Sequence, residues 1–305
     1  ALLIIAGVVV STSAAPGATA NAFTAPEKAS GPNIIMVAAD ALRADYLQLF
    51  SDEATAKTPN LDAFAKDAVK FQNAFAQASW TKPSFATLFS GRYPESHTAT
   101  TKTSSLPEDV TTFPEILQSA GYYTKGFSNN PNITSVYGFN QGFVDYDDLK
   151  PNPVLGAPSS ATKLSLYEAI RKGWQKVKGM LPFMRGMVVT DFYQPAETVT
   201  RVGLEWLDKE SRPKDAPFFL FLHYMDPHDP FMDWQQPGVG YARARMEHPD
   251  PEKYLEPMKN AYNSEIEHLD EFLGTLFAGL RERSLYDDTL IVFVADHGEE
   301  FFDHK

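Results

Sequence analysis

The sequence predicts an α/β layered fold with a mostly parallel central sheet, and three observations carry that expectation. Continuous apolar runs of strand length recur at 33–39 (NIIMVAA), 218–223 and 290–295, as strands covered on both faces require. Stretches with apolar residues at helical spacing separate them, the longest at 257–281. Strand and helix patterns then alternate along the chain, the order that parallel pairing through crossover helices produces. No internal repeat interrupts it.

Each element has its own local signal. ALLIIAGVVV at the start is an apolar run, followed by small residues that end in ATA at 18–20. It resembles the apolar core and cleavage site of an export signal, with a buried first strand as the alternative. Residues 1–20 are read as a signal-peptide-like segment and 21–32 as an Ala/Thr/Pro/Gly-rich linker, so a secreted or periplasmic location is expected. The run is too short to cross a bilayer and no later stretch reaches that length, so no stable transmembrane segment is expected.

The first strand closes in Asp40. Thr58-Pro59 reads as a cap followed by proline at the first helical position and predicts a helix through about Val69. Thr81-Lys82-Pro83-Ser84 repeats the pattern, and FATLF extends an apolar face that stops near Gly91. Phe113, Ile116, Leu117 and Ala120 predict a helix over 112–120 with Gly121 as its stop, and 122–127 follows as a strand. A Pro/Gly/Ser-rich loop at 151–160 precedes a helical segment over 161–180. Its Arg171, Lys172, Lys176 and Lys178 fit a solvated face better than a membrane or an acidic partner. Val199, Val202 and Trp206 mark a helix over 196–209. Met258, Ala261, Leu269, Phe272, Leu273, Leu276 and Leu280 mark the helix over 257–281, and the last strand delivers Asp296-His297.

Composition narrows the function. A formal net charge of −12, from 27 basic and 39 acidic residues, argues against nucleic acid as a partner, since phosphate-backbone binding needs a concentrated basic surface. It does not exclude a small anionic substrate, because a metal reverses the field locally. The absence of cysteine removes disulfides, thiolate ligands and thiol nucleophiles. The sequence sets no oligomeric state.

Asp40 and Asp296 each end an apolar strand, with His297 beside the second. Polar groups just beyond strand C-termini converge on the ligand site of open α/β sheets. Two carboxylates and an imidazole there make a divalent-metal site, although either aspartate alone would read as a helix cap. Mixed N/O donors favour Zn²⁺ or Mn²⁺ over Ca²⁺ or Mg²⁺, which prefer all-oxygen shells. Thr81 stands at a helix start, where free amides and the helix dipole favour an anionic group. A hydroxyl held there against a metal is a candidate nucleophile. Alone, Thr81 also fits an N-cap, and Ser84 is the rival hydroxyl. The segment 221–231, FLHYMDPHDPF, sets His223, Asp226, His228 and Asp229 beyond a strand, stiffened by Pro227 and Pro230. Some of these should face the site. Asn132-Ile133-Thr134 fits a glycosylation acceptor.

Five stretches together carry a family resemblance: IIMVAADALRADYL at 34–47, TPNLDAFAKDAVKFQNAFAQASWTKPSFATLFSGRYPESH at 58–97, FFLFLHYMDPHDPF at 218–231, AYNSEIEHLDEFLG and IVFVADHGEEFFDH. In order from about residue 33 to residue 305, they resemble the sulfatase-like branch of the alkaline phosphatase superfamily. The resemblance implies an alkaline-phosphatase-like sandwich with a metal-assisted site for sulfate or phosphate esters. Asp40, Asp296 and His297 match family metal-ligand positions, and His228 matches a histidine that faces the substrate anion or the metal. Ala39 stands where the family usually has a second aspartate, and Arg43 belongs to the recurrent LRAD stretch.

At the nucleophile the chain departs from true sulfatases. They carry Cys or Ser at the head of a C/S-x-P-S-R motif and convert it to formylglycine, whereas this chain reads Thr81-Lys82-Pro83-Ser84-Phe85. Thr at that position resembles phosphodiesterases and phospho-group transferases of the same superfamily. Lys82 would steady developing negative charge or simply face solvent. Family members continue beyond the DHGEE segment, so 33–305 is expected to be a catalytic domain truncated at its C-terminal end. The resulting expectation is metal-dependent hydrolysis of phosphate esters or phosphonates. Thr81, Lys82 and His228 would be catalytic, with Asp40, Thr81, Asp296 and His297 around the metal and a small anionic ester as substrate. The alternatives are a sulfuric ester hydrolase, a phospho-group transferase to a lipid or glycan, and a non-catalytic relative or incomplete fragment acting as a binding module.

Overall fold

Among the described residues the α-helices and β-strands are, in chain order, β1 (Asn33–Ala39), α1 (Pro59–Ala65), α2 (Thr81–Ser90), α3 (Pro94–His97), α4 (Phe113–Ser119), β2 (Tyr123–Ser128), β3 (Asp145–Asp148), α5 (Ala196–Asp208), β4 (Phe218–Tyr224), β5 (Phe231–Met232), β6 (Gly240–Tyr241), α6 (Pro251–Glu282) and β7 (Thr289–Ala295). The computed structural model describes residues 31–151, 190, 192–236, 238–243, 246 and 248–303. The signal-peptide-like segment, the linker up to residue 30, the loop from 152 and the basic segment 161–180 lie outside the described residues.

Among the described residues, five strands form one sheet in the order β3-β2-β4-β1-β7, and every pairing in it is parallel. β5 and β6 form a separate antiparallel pair. Parallel strands aim their C-terminal ends the same way. Ala39 pairs with both Tyr224 and Ala295, so the chain leaves β1, β4 and β7 at one level.

Why the central strands are apolar without alternation is visible in the core. Ile35, Val37, Leu220 and Leu222 face one apolar layer that includes Trp206 of α5 and Leu269, Leu273 and Leu276 of α6. Met36, Ala38, Phe219 and Phe221 face a second layer with Phe85 and Phe89 of α2. Period-2 geometry sends alternate side chains to opposite faces, and both faces are covered. Each fully enclosed Leu or Phe contributes about 1.5–3 kcal/mol of transfer free energy. Gly203 lets α5 lie close on β4, since a Cβ there would meet Leu222 Cδ2 at 3.0 Å.

Two helix ends and one strand differ clearly from expectation. The helix expected through Val69 stops at Ala65. α6 begins at Pro251, capped by the Asp250 carboxylate on Glu252 N at 3.0 Å, and Pro257 lies inside it. β3, with the sequence DYDD, has no apolar signal. It is held partly by Lys125 of β2, whose ammonium sits 2.7 Å from both Asp145 and Asp147. No helix among the described residues is long and apolar enough to cross a membrane.

Candidate active site

The C-terminal ends of β1 and β7 deliver Asp40 and Asp296-His297 into one buried cluster. Each of the three residues is anchored at one atom and turns another toward the cluster. Asp296 Oδ1 accepts from Ala41 N (3.1 Å) and His297 N (2.9 Å), while its Oδ2 has no hydrogen-bond partner among the described residues. His297 Nδ1 donates to the Gly298 carbonyl at 2.7 Å, which leaves a lone pair on Nε2. Asp40 Oδ2 accepts from Asn130 Nδ2 at 2.7 Å and lies 3.2 Å from His223 Nε2. Asp40 Oδ1 then faces His297 Nε2 at 3.4 Å, and Asp296 Oδ2 is 3.4 Å from the same nitrogen.

One donor atom from each of these residues lies within 4.8 Å of the others. Two buried carboxylates and an imidazole lone pair converging on one small volume repel one another unless a cation lies between them. An orphaned buried carboxylate oxygen and a histidine fixed through its other nitrogen are what a divalent-metal site presents. The residues therefore fit such an ion.

The two carboxyls differ. Burial works to raise Asp40, but His228, His223 and His297 outweigh it and hold it below the usual carboxylate range. Burial and the Asp40 charge together push Asp296 well above that range. Ala41 adopts φ 58, a conformation that few non-glycine residues take, and this turn carries its N–H onto Asp296. Tyr262 of α6 secures the same turn, donating to Ala41 O at 2.7 Å and accepting from Arg43 N at 2.8 Å. Arg43 in turn ties the loop after β7, through Glu299 O at 3.1 Å and Asp303 at 2.6 Å.

Thr81 is the first residue of α2, and Trp80 is its N-cap. The N-cap alternative thus falls away, and the hydroxyl is free to face the cluster. It lies 3.5 Å from Asp40 Oδ1 and 3.4 Å from His297 Nε2, and is 3% exposed. Ser84, the rival hydroxyl, instead donates to the Asp296 carbonyl. Lys82 points elsewhere. Its ammonium donates to Lys102 O (2.7 Å) and Ser104 O (2.9 Å) and lies over the Tyr137 ring. Phe85, at the family's arginine position, packs on Phe221 and the His223 ring.

From the 221–231 segment, His223 reaches Asp40 and the His228 ring lies 6.4 Å from that of His297. His228 Nδ1 donates to Asp229 O at 2.6 Å, leaving Nε2 for a ligand. Burial opposes protonation of His228, but Asp40 and the Asp229 carbonyl prevail and raise its pKa. Asp226 faces away, buried near Glu265 and Tyr193.

Sequence reasoning missed Asn130, which bridges Asp40 and Thr81. Asn129-Asn130 follows β2, so the rule that strand ends carry the ligand site, applied there too, would have found it. Asn132, read as a glycosylation acceptor, gives both its backbone and side-chain N–H groups to Asn130 Oδ1.

A family model described as Sulfatase matches residues 32–305, and the chain belongs to the sulfatase family, within the alkaline phosphatase superfamily. A multifunctional alkaline phosphatase superfamily protein of Trinickia caryophylli is 24% identical, over 89% of this chain and 64% of its own. The choline-sulfatase of Rhizobium meliloti is 23% identical, over 88% of this chain and 57% of its own. The crystal structure of a phosphonate monoester hydrolase of Agrobacterium radiobacter shares the fold. Its TM-score is 0.64 at 21% identity, covering 90% of this chain and 64% of that one. The chain thus spans about 57–64% of the length of these curated relatives.

Proposed function

We propose that this chain carries the centre of a metal-dependent hydrolase that cleaves small anionic esters through Thr81. The supporting observation is the Thr81 hydroxyl, 3.5 Å from Asp40 Oδ1 and 3.4 Å from His297 Nε2, at the edge of three converging donor atoms. A divalent cation on Asp40, Asp296 and His297, with Zn²⁺ or Mn²⁺ favoured by the mixed donors, would supply positive charge against the ester anion and lower the pKa of a neighbouring hydroxyl.

The chain's own residues divide the remaining work. Thr81 Oγ1 bonds to sulfur or phosphorus as the bond to the alcohol oxygen breaks, and the hydroxyl proton ends on the departing alcohol. Water then attacks the Thr81 ester, restoring the hydroxyl and releasing sulfate, phosphate or, from a phosphonate ester, the phosphonate. His228, held at Nδ1 by the Asp229 carbonyl and raised in pKa, donates from Nε2 to the ester anion. Lys82 has no part in this reading, because its ammonium is bound to two backbone carbonyls.

Sulfate esters are the first reading of the substrate, supported by the family and by the choline-sulfatase relative. Phosphate esters and phosphonates are the second, and Thr81 itself favours them. An unmodified threonine lacks the geminal hydroxyl with which an aldehyde hydrate expels a bound sulfate, so its adduct is resolved only by water attacking sulfur or phosphorus.

Metal-supplemented turnover of matched aryl sulfate, phosphate and phosphonate esters tests the reading, with Thr81→Ala as control. The expected loss in the variant is at least about 10³-fold in kcat for whichever ester is cleaved. Turnover retained in Thr81→Ala would remove the threonine mechanism, and the preferred ester decides between sulfur and phosphorus.

A further inference from the structure

Asn130 is 3% exposed and lies just beyond the C-terminal end of β2. Its amide orientation follows from its neighbours. Oδ1 accepts from Asn132 N at 2.8 Å and Asn132 Nδ2 at 3.0 Å, so that end is the oxygen. The nitrogen must then face the other way, where it lies 2.7 Å from Asp40 Oδ2 and 3.3 Å from Thr81 Oγ1. The reverse orientation would set a carbonyl oxygen against a buried carboxylate and two N–H groups against two N–H groups.

Thr81 Oγ1 accepts from Asn130 and lies 3.5 Å from Asp40 Oδ1 and 3.4 Å from His297 Nε2, so the hydroxyl loses its proton with a donor already in place. As that proton departs, the contact from Asn130 becomes a charge-assisted hydrogen bond to a negative oxygen, roughly twice as strong as a neutral one. The same amide holds Asp40 Oδ2, with His223 Nε2 at 3.2 Å from that oxygen, and this keeps Oδ1 turned toward Thr81.

We propose that Asn130 is a catalytic residue: its side-chain N–H donates to Thr81 Oγ1 and stabilises the negative charge that develops on that oxygen. This inference rests on Thr81 being the nucleophile.

The test compares Asn130→Ala and the near-isosteric Asn130→Asp with the full chain, titrating turnover against Zn²⁺ and Mn²⁺ and measuring metal affinity by calorimetry without substrate. At saturating metal, kcat is expected to stay about 10²–10³-fold below that of the parent in both variants, the cost of losing one pre-aimed donor. KM is expected to change little. In the parent protein, the Asn130 side-chain amide signals in NMR should be protected from solvent exchange and should shift in Thr81→Val, which replaces the hydroxyl by a methyl of similar size.

Recovery of kcat at saturating metal would reduce Asn130 to a positioning residue for Asp40 and overturn the proposal. Parental activity in Asn130→Asp, or an amide signal indifferent to Thr81→Val, would overturn it as well. Failure of the nucleophile reading is separate, because it shows as turnover that survives Thr81→Ala whatever residue stands at 130.

Discussion

Asp226 is fully enclosed, and among the described residues neither carboxylate oxygen meets a hydrogen-bond partner of good geometry. Burial pushes its pKa up to about 7. Glu265 nearby is raised well above the carboxylate range by burial and by Asp226 itself, although its Oε1 accepts from Tyr193 OH and Met232 N. An acid with a raised folded-state pKa holds its proton longer in the folded than in the unfolded chain. Its contribution to stability is therefore greatest below the unfolded pKa, declines between about pH 4 and pH 7, and is level above that. Asn at 226 cannot ionise. From pH 5 to pH 8, Asp226→Asn should gain about 3 kcal/mol relative to the parent in urea unfolding. A difference independent of pH would show that the carboxyl is not held neutral. Asp226 was legible in the sequence as an ionisable residue beyond a strand, but not as one turned from the site, because sequence gives no direction to a side chain in a loop. Asp40, Asp296, His297 and Thr81 were legible, since strand ends and a helix start fix their positions. Asn130 is legible only through its place just beyond β2, because a neutral amide adds no charge signal of its own.

The helices were legible where caps and apolar spacing agreed. α4 is the clearest case. Thr112 Oγ1 accepts from Glu115 N at 3.4 Å while Glu115 Oε2 accepts from Thr112 N at 2.7 Å, a reciprocal capping box. Thr112→Ala should cost about 1 kcal/mol in equilibrium unfolding with site chemistry unchanged. A cost near zero would mean that packing, and not the cap, fixes the start of α4. At α6 two prolines competed as the first helical residue, and apolar spacing drew the boundary to Pro257 when Asp250-Pro251 begins the helix. β3 escaped notice because its stabilisation is ionic: two aspartates flank the buried Lys125, and no apolar period marks the strand.

Across the whole molecule, one parallel sheet gathers residues that are remote in sequence. The turn after β1 contributes Asp40, the turn after β2 Asn130, β4 His223 and the turn after β7 Asp296 and His297, while the start of α2 adds Thr81. The hydrogen bond from Ala41 N to the Asp296 carboxylate spans 255 residues. The layered class followed from unalternating strands, but the order β3-β2-β4-β1-β7 did not, because local patterns carry no information about which strands become neighbours. The central claim is that this convergence makes Thr81 a nucleophile. The most direct measurement is to quench metal-loaded protein in acid during turnover and map the adduct by high-resolution peptide mass spectrometry. One sulfo or phospho group on Thr81, absent from Thr81→Ala, is the expected result. Turnover with no adduct at Thr81, or with the group on Ser84, would contradict the account.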